Sequence, residues 1–162
     1  MTGGPLPVHG GLDHPVNRVV KELPTDAELL KKVAVADVDK TTLYRIADGT
    51  LSPITGPMTK EVYDLVLSGK HVVNNGKKYA WTIPIILPVT DDEYKNLVVG
   101  DKVALEDQQH KVFGVLHLAS KFEWDKKEFI KAVYLTERED HPGAKLWLDD
   151  VRTKCIGGEI EL

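Results

Sequence analysis

At 162 residues, 42% of them hydrophobic and 28% charged, the chain has the makeup of one globular domain with a core of its own. A formal charge of −4 speaks against a sequence-independent grip on nucleic-acid phosphates, which needs a concentrated basic surface. Cys155 is the only cysteine, so an intrachain disulfide and a thiolate metal cage are both excluded.

Residues 1–17 are rich in Gly, Pro and His and are expected to run as an extended N-terminal segment. The opening MTGGPLPVHGG has no basic flank followed by an apolar core, so it is not a signal peptide, and a cytoplasmic setting is expected. PTDAELLKKVA (24–34) carries a capping-box pattern, Thr25 with Glu28, ahead of Leu29, Leu30 and Val33, which predicts a helix. DKTTLYRIADG (39–49) predicts a second, with Asp39 as N-cap and Gly49 as its left-handed stop. After the loop GTLSPITGPMT (49–59), Thr59 caps a third helix that buries Val62, Tyr63, Val66 and Leu67 and ends at Gly69.

The hydrophobic period then changes to that of strands. Asn75-Gly76 marks a hairpin inside 71–89, and Pro84 and Pro88 confine its second arm to an edge or a bulge. A capping box at Thr90 and Glu93 opens a further helix. Two strands follow in 103–120 around a polar turn at Gln108 to His110, and then a short helix opened by Asp125 and Glu128. EDHPG (139–143) reads as a turn, and VRTKCIGGEIEL as a loop, a glycine pair and a terminal strand. The sum is an α+β domain: helices first, then a mostly antiparallel, barrel-like sheet. The longest apolar stretch, 83–89, holds two prolines and is too short for a bilayer, so no membrane association is expected.

Catalytic patterns are absent. Neither GxxxxGK[ST] nor GxGxxG occurs, and no serine sits in a GxSxG elbow. His9 and His14 flank Asp13, but nothing nearby completes a metal site. His141 beside Asp140 could be a base oriented by its neighbour, or simply part of a turn. Lys121, Lys126, Lys127 and Lys131 are interrupted by Glu123, Asp125 and Glu128, as on a solvated helix face. The residues themselves therefore predict no catalytic, cofactor or metal site.

The order of the short motifs is more telling. VHGG (8–11), ADGTLSPITGPMT (47–59), WTIPIILPV (81–89), VALED (103–107), T-x4-HPG (136–143) and IGG (156–158) succeed one another along nearly the whole chain. This succession resembles the N-terminal domain of sulfate adenylyltransferase, the ATP sulfurylase family. The matching positions are His9, Gly10, Gly11, Gly49, Ser52, Pro53, Gly56, Met58, Trp81, Pro84, Thr136, His141, Pro142, Gly143, Gly157 and Gly158. Pro57 stands where the family has phenylalanine.

The resemblance implies a PUA-like fold, a mixed and mostly antiparallel β-barrel with short flanking helices, over 1–162. It implies structural or interface roles for the matching residues, in support of adenylyl sulfate and pyrophosphate formation from ATP and sulfate. The family's catalytic segments, Q-x-R-N-P and H-x-x-H, do not occur in these residues, so ATP and magnesium are expected only on a catalytic domain in cis or in trans. A homo-oligomer is a further implied association. Two other readings stay open: a stand-alone module that contacts RNA, and an anion or small-ligand sensor built on the amides of 49–59 and 141–143.

Overall fold

The computed structural model describes residues 7–136 and 138–162. In chain order its elements are β1 (Lys31–Ala34), α1 (Asp37–Ala47), α2 (Lys60–Gly69), β2 (His71–Asn74), β3 (Lys77–Ala80) and β4 (Leu87–Val89). They continue with α3 (Asp91–Asn96), β5 (Lys102–Glu106), β6 (Val112–Glu123), α4 (Lys126–Tyr134), α5 (Pro142–Asp149) and β7 (Lys154–Glu161). Five strands form one sheet in the order β1-β5-β6-β7-β4, and β2 with β3 forms a separate hairpin.

The architecture is mixed α+β, but the expected closed barrel is replaced by an open, curled sheet. Its edges are the short strands β1 and β4, and β4 carries Pro88, which lacks the amide that further pairing would need. Three of the four pairings are antiparallel; β1 runs parallel to β5. Beneath the sheet lies one main core, in which Leu43, Ile46, Val66, Leu87, Leu105, Leu116, Phe129, Ile156 and Ile160 are fully enclosed. Trp124, Phe129 and Trp147 meet edge to face at one end, with ring centroids 5.3–5.7 Å apart.

Several local expectations hold. Leu43, Ile46 and Ala47 are the inner face of α1, and Gly49 turns left-handed at φ +82°. Thr59 caps α2, and Thr90 with Glu93 closes a complete capping box on α3. Asn75 and Gly76, both at positive φ, form the β2–β3 turn, and Asp125 caps α4.

Three differ. Residues 24–34 make only a 3₁₀ turn, Ala27–Leu29, before extending as β1. The pairing of Lys31–Ala34 with Val103–Glu106 outweighs the local helical pattern, and Glu28 binds Lys32 rather than boxing Thr25. Asp39 is no N-cap: α1 starts at Asp37, and Asp39 faces inward, 8% exposed. α2 does end at Gly69 as expected, and the left-handed residue after it is Lys70 (φ +54°), with its ammonium on the carbonyls of Leu67 and Ala132. Pro142 and Gly143 open α5 instead of making an isolated turn. Of the segment expected to be extended, 1–6 lies outside the described residues, and 8–12 closes a turn with a Val8–Leu12 bridge.

Candidate functional site

Most of the motif residues meet at one corner, built by backbone contacts. The loop after α1 folds against β7: the Gly158 amide donates to the Pro57 carbonyl at 2.9 Å, and the Ile160 amide to the Thr55 carbonyl at 3.0 Å. β4 covers Lys154 to Ile156, so the loop continues that edge where β4 stops. On its other side the Met58 amide donates to the Ile85 carbonyl at 2.8 Å, while the Ile85 amide points at the Met58 sulfur at 3.4 Å.

This approach requires glycine. A Cβ on Gly56 would overlap the Gly158 carbonyl, and one on Gly157 the Met58 carbonyl. Ser52 is buried; its hydroxyl donates to the Gly49 carbonyl at 2.6 Å and accepts from the Val16 amide at 2.8 Å. The Ser52–Pro53 peptide is cis. Gly10 abuts the Pro53 ring, and its carbonyl accepts from the Asn74 amide side chain at 2.7 Å. Gly11 lies against the Tyr79 ring, and His9 reaches the Ala80 carbonyl at 2.9 Å. Trp81, with its ring near His9, ties its amide to the Lys70 carbonyl, and Pro84 is buried in the connection to β4. VHGG, SPITGPM, WTIPI and IGG, far apart in sequence, thus form one junction of the loop, the hairpin and β7.

T-x4-HPG does not join them. Among the described residues its contacts stay local: Thr136 accepts from the Arg138 amide, Pro142 is the first residue of α5, and Gly143 packs on the Tyr134 ring. His141 caps α5, its Nδ1 accepting from the Gly143 and Ala144 amides at 3.2 and 3.4 Å. Asp140 is engaged by both arms of Arg138, so it does not orient the imidazole as a base.

Over the corner opens a groove of about 600 Å³. Ile54, Pro57 and Met58 line it from the loop, Val62 and Leu65 from α2, and Val72 and Val73 from β2. Glu61, Glu159 and His117 stand at its margins, with His117 3.3 Å from the Glu161 carboxylate and Glu159 paired to Arg18. Ile54 and Met58 are 7% and 3% exposed and belong to the core as well. Pro57 is buried and holds the loop carbonyl that binds Gly158.

A second polar node was not legible in the sequence. Arg152 makes a fork with Asp150, reaches Asp39 at 3.1 Å and donates to the Pro88 carbonyl at 2.9 Å, joining α1, β4 and the start of β7. Burial raises the Asp39 pKa, with Arg152 pulling the other way. At Asp150 burial also opposes ionisation, but the hydrogen bonds from Arg152 prevail and the pKa is lowered. Nothing in VRTKC distinguishes such an arginine from a surface one.

Chemically the corner offers shape and enclosed backbone rather than reactive groups. Among the described residues no three His, Cys, Asp or Glu side chains converge to hold a metal ion. Lys121 and Lys126, from the interrupted basic run, are spent on the Leu97 and Asp150 carbonyls. No helix is long and apolar enough to cross a membrane among the described residues.

A family model described as a PUA-like domain matches residues 8–162, and the chain belongs to that family. Among curated relatives it is similar to the sulfate adenylyltransferase of Pyropia yezoensis, 58% identical over 156 residues, which cover 96% of this chain and 37% of the relative. With the sulfate adenylyltransferase of Persephonella marina it shares 35% identity over 140 residues, 86% of this chain and 35% of that one. The chain therefore spans little more than a third of these relatives, in their N-terminal part. A solved structure titled hexameric APS kinase from Thiobacillus denitrificans shares the fold at a TM-score of 0.68 and 21% identity, over 96% of this chain and 26% of that chain.

Proposed function

We propose that the chain is the non-catalytic PUA-like part of a sulfate adenylyltransferase, supporting formation of adenylyl sulfate and pyrophosphate from ATP and sulfate. One observation carries this reading: 58% identity to a sulfate adenylyltransferase along 96% of the chain, while only 37% of that enzyme is spanned. Identity of that order over a whole domain leaves little room for a different scaffold role. The remainder of the enzyme, in cis or in trans, binds ATP with its magnesium and carries out the transfer; this part shapes and supports it. The hexameric assembly named for the structural neighbour makes a homo-oligomer the expected organisation, and a cytoplasmic enzyme of sulfur metabolism the expected setting. Purified alone and given ATP, magnesium and sulfate, the 162-residue chain is expected to release no pyrophosphate above background. Turnover by the pure chain would overturn the proposal.

A further inference from the structure

We infer that the groove over the loop corner is the seat of the catalytic part, and that it receives an apolar side chain carried beside a basic residue on that part. The inference rests on the functional reading above and adds to it a surface and the chemistry of its occupant.

The first argument is rigidity. The groove wall is pinned on both flanks, to β7 through Gly158 and Ile160 and to Ile85 through Met58. A preformed concavity of about 600 Å³ receives a partner without an ordering cost in its own loop. The second is unfinished burial. Val73 remains 50% exposed and Leu65 only partly buried at the opening, although their neighbours Val72 and Val66 are enclosed. Among the described residues nothing covers that apolar surface.

Charge then selects the occupant. Glu61 is exposed at the margin, Glu159 is paired there to Arg18, and Glu161 stands behind His117, so the rim is acidic on balance, favours a cationic partner and opposes a phosphate backbone. Relatives carry well over half of their length beyond the part this chain spans, which supplies a partner body for the surface.

The test is a chimera in which residues 8–162 replace the matched part of the Pyropia yezoensis enzyme. Pyrophosphate release and thermal unfolding are followed, with sedimentation of the 162-residue chain in parallel. Val73→Glu is expected to lower activity at least tenfold and to uncouple the unfolding into two transitions. Glu61→Lys should lower activity several-fold, with the loss shrinking at high salt. Leu29→Glu, exposed on the 3₁₀ turn outside the groove, should change neither readout. An active chimera indifferent to both groove substitutions overturns the seat and leaves the functional reading standing. An unsubstituted chimera without activity overturns the functional reading itself. Self-association of the 162-residue chain that Val73→Glu abolishes would assign the groove to a second copy and overturn the inference. Should Val73→Glu unfold the 162-residue chain, Glu61→Lys alone decides.

Discussion

At the scale of single residues, stability is concentrated where polar groups are enclosed or backbones touch. Arg152, with its side chain 17% exposed, satisfies Asp39, Asp150 and a strand carbonyl together. Removing one member of an enclosed charge cluster strands the others, so Arg152→Met is expected to cost about 3 kcal/mol in urea unfolding. Arg152→Lys should restore only part, since an ammonium cannot form the fork; full restoration would show that charge alone matters. Cys155, fully buried on β7, has its thiol pKa pushed up by burial. It should react with a thiol reagent only as fast as the protein unfolds, and rapid labelling of the native chain would contradict its enclosure.

At the scale of elements, α3 shows a cap that serves two structures. The Glu93 carboxylate accepts from the Thr90 amide and hydroxyl at 2.8 and 2.7 Å, and also from the Ala34 amide on the edge strand β1 at 2.8 Å. Thr90→Ala should therefore cost about 1 kcal/mol, the ordinary value of an N-cap, and Glu93→Ala distinctly more. Equal losses would mean that the link to β1 contributes nothing. α2, α3 and α4 were legible because their caps, and in α2 the inner face, are local signals. β1 was not, because its pairing partner lies some seventy residues away and overrides a helical pattern. α5 was hidden by Pro142 and Gly143, which break a helix interior yet suit its first turn once His141 supplies the cap. The loop 49–59 was legible as a loop between two helices, and its motif residues as a group only through the order of the short motifs. The groove above it was not, because α2, β2 and β6 meet there only through the tertiary fold.

At the scale of the whole molecule, carboxylates set the response to acid. The Lys40 ammonium, then the Lys111 and Gln109 amides, hold Asp107 below its usual pKa; Lys31 and the Val98 amide do the same for Asp101. Glu106 and Glu123 are lowered by Lys32 and Lys154. A carboxyl depressed in the folded state stabilises it above the ordinary carboxylate range, and that contribution is lost as pH falls through the depressed value. Asp39, shifted upward, has the opposite sign: its contribution is present at low pH and lost as pH rises through its raised value. Unfolding midpoints should therefore stay level from neutral pH to about pH 5 and fall below about pH 4. Asp107→Asn should flatten that acid limb, and an unchanged limb would exclude Asp107 as a source. The arrangement of strands also governs how the chain is made. β7 is inserted between β6 and β4, and Arg18 and Val20 bond across to Leu162. On the ribosome, β6 and the loop corner emerge well before the strand that joins them. The sheet is completed only after synthesis has passed β7, so this domain forms late as one unit rather than strand by strand, at the slow rate of a high-contact-order topology. Until then the edge of β6 that β7 will cover is left unpaired.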